Sequence, residues 1–277
     1  MGVHGVATAG ARQAEVDPLL ADRVVEALLM VGLPVAHGGH GPGVHLLATG
    51  SDGAAGAAVG SDPERWPLTL RWLCSARLED AAAAGGDGPW PRTRQVVADS
   101  LETALAELLP SLGLRATRAT AAGPTLVGPG EGPADGAGQE DRADGEDGEG
   151  GKPGAAGGSG EAVGALEALP AEAVAAVRRS AALAGLPLAR HARAAGVALA
   201  ACAPLPTAPD AAPAPAPVVD VAWRSSSQLP GTPPVATAVR EAMHHAVGTA
   251  LAACGLRTSW HRPPDGAPHL HAAGPRA

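Results

Sequence analysis

The histidines of one glycine-rich turn are the residues whose spacing best suits chemistry in this sequence. The turn reads His37-Gly-Gly-His40-Gly-Pro-Gly-Val-His45, so two imidazoles stand three residues apart and a third follows five residues later. Histidines spaced in this way on a loop can converge on zinc or nickel. Three more histidines near the C-terminus could join them, namely His261, His269 and His271.

A second stretch of the chain matches this turn but carries different chemistry. Residues 185–201 align with residues 32–48, and eight of the seventeen positions are identical. The second turn contains Arg190, His191 and Arg193, which would repel a cation. No carboxylate or cysteine near the first turn completes a coordination shell. We therefore predict a polar hairpin with no bound metal, and metal binding by the loop 37–45 is the alternative.

The glycines of the same turn, Gly39-x-Gly41-x-Gly43, do not predict a phosphate site. A phosphate loop leads from a strand into the N-terminus of a helix, where backbone N–H groups face the anion. Here the sequence predicts a helix before the turn and a strand after it. We therefore assign no nucleotide and no other cofactor to the chain.

No catalytic residue can be assigned from the remaining reactive side chains. Cys74 lies on a predicted strand and Ser225-Ser226-Ser227 follow another, but neither has a base and an orienting group nearby in sequence. At least one of the paired His244 and His245 should face water. The alternative is an enzyme whose site lies between the two halves of the chain and draws on separate elements, with His40, Cys74 and His245 as candidates.

Further matching landmarks predict an internal duplication. Leu68, Leu70 and Trp72 correspond to Val219, Val221 and Trp223. The tripeptide Gly-Leu-Arg follows Leu112 in the first half and Cys254 in the second. The two tryptophans should be the largest core anchors of their halves. We predict a loose leader over residues 1–14, a first repeat over 15–127, a linker over 128–160 and a second repeat over 161–277.

Apolar periodicity places the elements within each repeat. Helices are predicted over 17–31, 93–111, 166–184 and 235–253, and loops over 50–65, 78–92 and 203–217. Strands are predicted over 33–37, 43–49, 66–77, 114–120 and 124–128, and again over 186–191, 196–202, 218–224, 256–261 and 268–272. Each half thus has the order α-β-β-α-β, with a last short strand possible. The predicted class is α+β, with two similar small domains, each an antiparallel sheet with two helices on one face.

The amino-acid alphabet of the chain is narrow. Phe, Tyr, Ile and Asn are absent, and Lys152 is the single lysine, which is typical of a GC-rich bacterial genome. The cores must therefore be built from Ala, Val, Leu and a few Trp, which bury less area per side chain. A translated frame with no selected product is an alternative explanation, and the internal duplication argues against it.

Charge and cysteine usage restrict the partners and the compartment. The segment 128–160 holds eight acids against Arg142 and Lys152, so most of the net charge of −8 lies there. The rest of the chain is close to neutral, which argues against nucleic acid as a partner. Cys74, Cys202 and Cys254 have no metal or disulfide spacing and should be buried, reduced thiols. With no signal peptide and no apolar run long enough for a membrane span, we expect a cytoplasmic protein without direct membrane insertion.

The order of these elements resembles the alkaline-shock family of general-stress, envelope-associated proteins. The matching pieces are residues 24–36, 43–48, 68–72 and 96–115, together with their second-half equivalents. The tryptophans and the long proline-rich loops depart from that family. The resemblance implies a tandem, non-enzymatic protein that a partner recruits to the envelope, and small secretion chaperones have a comparable element order.

The sequence therefore predicts a non-enzymatic protein-binding, scaffolding or regulatory module with a protein partner. The acids are concentrated in the linker and the histidines in loops, whereas an enzyme needs titrating groups clustered in a cleft. Binding would use a sheet face or a groove between helices.

Overall fold

A computed structural model describes residues 17–36, 40–49, 64–85, 88–130, 169–191, 193–202, 218–229, 233–261 and 269–275. The predicted leader, His37 and residues 131–160 of the predicted linker lie outside the described residues. So do nearly all of the predicted loop 50–65 and the whole of 203–217.

The described residues of the first half form three α-helices and four strands. Helix α1 (Pro18–Val31) leads to strands β1 (Gly43–Ala48) and β2 (Leu68–Leu73). Helices α2 (Ala76–Ala83) and α3 (Trp90–Leu108) follow, and a 3-10 turn at Leu109–Leu112 leads to β3 (Leu114–Arg118) and β4 (Thr125–Pro129). The Asp17 carboxylate accepts the N–H of Leu19 at 3.0 Å and caps α1, with Pro18 in its first turn.

The second half repeats this order without a counterpart of α2 among its described residues. Helix α4 (Ala171–Ala184) precedes β5 (Gly196–Ala201) and β6 (Val218–Arg224). Helix α5 (Pro233–Ala253) then leads to β7 (Leu256–His261) and β8 (His269–Pro275).

Each half contains one four-stranded antiparallel sheet. The strand orders are β1-β2-β4-β3 and β5-β6-β8-β7, so the two sheets have the same topology. The registers also correspond, since Val44 faces Trp72 in the first sheet and Val197 faces Trp223 in the second. The predicted α+β class, with two similar halves that each contain an antiparallel sheet and helices, is confirmed.

Three sequence expectations need correction. The predicted strands 33–37 and 186–191 are single parallel bridges, Val35 to Val44 and Leu188 to Val197. Pro34 and Pro187 have no N–H with which to extend a ladder there. The predicted loop 78–92 contains most of α2, which Ser75 caps by accepting the N–H of Leu78. Strand β4 extends to Pro129, so residues 128 and 129 belong to the sheet and not to the predicted linker.

The two halves interlock through the C-terminal ends of their first helices. The indole Nε1 of Trp72 donates to the carbonyl of Ala184, at the end of α4, at 2.8 Å. Reciprocally, Nε1 of Trp223 donates to the carbonyl of Val31, at the end of α1, at 2.9 Å. A tryptophan of each sheet therefore bonds to the end of the first helix of the other half, and the buried side chains of both halves form one continuous core.

Residues close to the two tryptophans also bond to the opposite half. The N–H of Ser75 donates to the Leu183 carbonyl at 3.2 Å, and the N–H of Ser226 donates to the Met30 carbonyl at 3.0 Å. Gly32 ends α1 at φ +90°, and a Cβ there would lie 2.4 Å from the Cβ of Ala195 in the other half. Only glycine accepts both this backbone conformation and this close approach.

No helix in the described part of the chain is long and apolar enough to cross a membrane.

Candidate functional site between the two halves

Helices α3 and α5 lie side by side along the seam between the halves. The Thr93 hydroxyl, near the start of α3, donates to the carbonyl of Ala253, at the end of α5, at 3.4 Å. The two helices therefore run in opposite directions. Their facing residues are mostly small, as at Ala104 and Ala242, which allows the helices to approach closely.

An open groove follows this seam. Its wider section is a cavity of about 1070 Å³ between the first turns of α3, the last turns of α5 and strand β7. A narrower section of about 280 Å³ continues along the two helices, and Val96 and Thr249 line both sections. The wide section matches small-molecule and peptide sites in size, but it is open rather than enclosed.

The groove exposes apolar side chains. Val96 of α3 is 42% exposed and Trp260 of β7 is 46% exposed, and both line the wide section. Trp90, at the start of α3, is 42% exposed and lines a neighbouring cavity of about 410 Å³ with Leu183 and Leu256. Clustered exposed aromatic and aliphatic side chains are typical of surfaces that bind another protein.

Trp260 lies against α5 because the helix carries a glycine where the ring crosses it. A Cβ on Gly248 would lie 2.9 Å from Cζ2 of Trp260. The indole meets the ring of His244 edge-on at 5.3 Å between centroids, and it stacks on His245 at 6.4 Å. His244 is buried and His245 is exposed, so the prediction that at least one of this pair faces water is confirmed.

The first half carries different chemistry at the equivalent positions. Counting from the matched Gly113 and Gly255, Arg118 corresponds to Trp260 and Glu102 corresponds to His244. The Arg118 guanidinium contacts Glu102 Oε2 at 2.7 Å and Asp99 Oδ1 at 3.1 Å. An ion cluster therefore occupies the place where the second half presents an indole to the groove.

Glu102 and His244 tie their helices to the neighbouring sheets in opposite ways. The Glu102 carboxylate accepts the backbone N–H of Trp72 at 3.0 Å, whereas Nε2 of His244 contacts the Val221 carbonyl at 2.7 Å and must carry the proton. Burial raises the pKa of the Glu102 carboxyl above its ordinary value, although the Trp72 N–H and Arg118 act in the other direction. Both residues bond to a backbone group of the neighbouring sheet, and neither lines the groove.

The histidines predicted as possible metal ligands do not form a metal site in the described part of the chain. No group of three or more His, Cys, Asp or Glu side chains there has the geometry to hold a metal ion. His40 is exposed before β1 and His45 lies on β1 opposite Arg71. Across β6, β7 and β8, His261 stacks on His271 at 5.7 Å, and His269 pairs with Asp220 at 3.2 Å.

Burial raises the pKa of all three cysteine thiols above the ordinary value. Cys74 is buried as predicted, whereas Cys202 and Cys254 are half-buried, because each follows the end of its element. Burial, followed by the charge of Glu79, raises the pKa of Cys74 to about 12, and burial raises the pKa of Cys254 to about 11. A nucleophilic cysteine requires the opposite shift. No hydrogen bond or ring contact recorded among the described residues joins Cys74 to His40 or His245.

Comparison with known proteins gives no assignment, since no protein family, curated protein or solved structure matches this chain.

The groove is lined mainly by uncharged side chains. Its wide section is lined mainly by Pro, Gly, Ala, Thr, Val and Trp, and Arg92 is its one ionisable side chain among the described residues. Sequence reasoning missed this site because Val96 and Trp260 belong to different halves and meet only when α3 packs against α5. The one signal in the sequence is Val96, an apolar residue of the predicted helix 93–111 that lies 42% exposed in the structure.

Proposed function

We propose that this protein is a non-enzymatic protein-binding module that holds a segment of its partner in the groove between α3, α5 and β7. The observation that carries the proposal is the open cavity of about 1070 Å³ lined by the exposed apolar side chains of Val96 and Trp260. Both helices and the strand contribute buried side chains to the continuous core, so the groove is formed before a partner binds. A preformed groove loses little conformational entropy when it binds.

The chemistry of the lining supports binding over catalysis. An active site brings together titrating side chains with opposed roles, within hydrogen-bond reach of a reacting atom. The wide section offers threonine hydroxyls and one guanidinium instead. In the narrow section, Asp99 already contacts Arg118, and His245 stacks on Trp260.

The proposal includes an origin by tandem duplication in a GC-rich bacterium and a cytoplasmic location. The reciprocal bonds of Trp72 and Trp223 support the duplication, because the two identical subunits of an ancestral dimer would make the same pair of bonds. Three free thiols suit a reducing compartment. The resemblance to the alkaline-shock family stays part of the proposal, and cell fractionation tests both the location and any recruitment to the envelope.

Selection of random nine-residue peptides displayed on phage tests the groove. We expect enrichment of a peptide family that binds the purified protein. Thr249→Arg should weaken this binding at least tenfold, because Thr249 lines both sections and a long cationic side chain there would fill the groove. Val96→Asp should also weaken it, by placing a charge on the apolar wall.

Leu19→Asp is the matched control for Val96→Asp. Leu19 is 75% exposed on α1 and lines neither section of the groove, so this variant should bind as the wild type does. Thermal unfolding of each variant checks the fold. Enriched peptides that bind all three variants equally, or no enrichment at all, would remove the groove as the binding site.

A further inference from the structure

The four edge strands of the two sheets, β1, β3, β5 and β7, differ in how they are protected. Strand β1 is covered at Val44, which donates its N–H to the Pro34 carbonyl at 2.8 Å and accepts the N–H of Ala36 at 2.9 Å. Strand β5 is covered at Val197 by the equivalent bonds with Pro187 and Ala189. These two edges are therefore partly paired with their own chain.

Strand β3 carries an inward-pointing charge, another common means of protecting an edge. Its residue Arg118 points towards α3, where it contacts Glu102 and Asp99. A strand that added to β3 would place its own side chains against this ion cluster.

Within the described part of the chain, strand β7 has neither form of protection. Trp260 lies at the position where β3 carries the inward-pointing arginine. Among the described residues, the backbone of β7 hydrogen-bonds to β8 and to no other strand or loop. A register irregularity affects only its start, at Leu256 and Arg257. The edge therefore presents a row of N–H and C=O groups that an extended backbone complements.

The unprotected edge borders the groove. Thr258 and Trp260, two residues apart on one face of β7, line the wide section, and the start of α3 forms the opposite wall. Alternate side chains of an added strand would enter the groove and the others would point away from it. The six residues of β7 offer about 20 Å of edge, enough for a peptide of similar length.

We propose that the partner segment adds to the second sheet as a strand beside β7, and that an acidic residue of the segment pairs with Arg92. Arg92 is exposed at the start of α3 and supplies the positive charge of the wide section. This inference rests on the proposed function and specifies its ligand as an extended peptide with apolar residues and one acid. It corresponds to strand addition rather than to a helix lying in a groove.

A backbone N-methyl scan of a peptide enriched in the selection tests the binding mode. Strand addition uses the N–H of every second residue, so methylation at alternate positions should weaken binding at least tenfold while the intervening positions tolerate it. Sensitivity of side chains at a spacing of three and four residues, with no alternation, would overturn strand addition. The proposed function would survive that result if Thr249→Arg still abolished binding.

Charge reversal tests the acidic residue. Arg92→Glu should change the preference of the peptides from an acid to a base at one position, and a peptide with lysine there should bind this variant better than the wild type. Arg178→Glu is the control, since Arg178 is exposed on α4 and lines no section of the groove. An unchanged preference in Arg92→Glu would refute the pairing.

A second copy of the chain is the competing occupant of this edge. Sedimentation of the full chain over a range of concentrations measures self-association. If the protein dimerises, if Trp260→Arg abolishes the dimer and if the enriched peptide does not compete with it, the edge serves self-assembly and the peptide proposal is wrong. A monomer that binds the peptide supports the proposal.

Discussion

Trp260 and Arg118 occupy equivalent positions in the two sheets but expose different chemistry. The Arg118 guanidinium pairs with two carboxylates, Glu102 and Asp99. The Trp260 indole has two imidazoles beside it and stays 46% exposed. Residue-level divergence at one pair of sites therefore gives the two similar halves different surfaces.

The pH dependence of Glu102 is predictable from its burial. Its pKa is raised, so the folded state binds the proton more tightly than the unfolded chain, and the free energy of unfolding falls as pH rises through that pKa. Glu102→Gln cannot ionise. We therefore expect the variant to gain stability relative to the wild type as pH rises from about 4 to about 7, by about 1.4 kcal/mol for each unit of pKa shift.

Urea unfolding of both proteins at several pH values measures this difference. Glu102→Ala should cost about 3 kcal/mol, because it leaves the Trp72 N–H without its acceptor and removes a partner of Arg118. A stability difference for Glu102→Gln that does not change with pH would contradict the raised pKa.

The histidine turn leads to a prediction about metal content. We expect no stoichiometric zinc or nickel, because Arg190 and Arg193 replace potential ligands in the matching turn and the first turn lacks a carboxylate or thiolate. Elemental analysis of protein purified without a histidine tag measures this. Stoichiometric metal that disappears in a His37→Ala, His40→Ala double variant would show the prediction to be wrong.

At the scale of elements, two indole N–H groups join the ends of α1 and α4 to the opposite halves. Trp72→Phe and Trp223→Phe should each lower the free energy of unfolding by about 2 kcal/mol, through the lost hydrogen bond and the smaller ring. Chemical denaturation measures both. Trp260→Phe is the control and should cost less than about 1 kcal/mol, because the ring is partly exposed. An equal cost at all three positions would show that the carbonyl contacts contribute nothing.

The sequence located most elements because their signals are local. Asp17-Pro18 marks the start of α1, and alternating burial along β6 follows its alternating sequence. Helix α2 was missed because its single buried residue, Leu78, gives no periodic stripe. The bridges at Val35 and Leu188 were predicted as strands because apolar residues beside glycine look extended whether or not a partner strand runs alongside.

At the scale of the molecule, one core joins the halves, and this has a consequence for proteolysis. The predicted linker should be cut first, within residues 131–160, to give two resistant fragments. Because Trp72 and Trp223 bond to helices of the opposite halves and the core is continuous, the two fragments should elute together from a size-exclusion column. They should separate only in denaturant. Cleavage spread evenly along the chain would contradict the domain boundaries, and separate native elution would contradict the interlock.

The sequence by itself determined the α+β class, the matching order of the two halves and the burial of Trp72 and Trp223. These follow from periodicity and from residue types, which act over a few neighbouring positions. Tertiary structure alone decided that each tryptophan bonds to the opposite half, that Glu102 and His244 are buried equivalents, and that Val96 and Trp260 border one groove. Those relations involve residues more than a hundred positions apart in the sequence, and only the packing of the two halves against each other decides them.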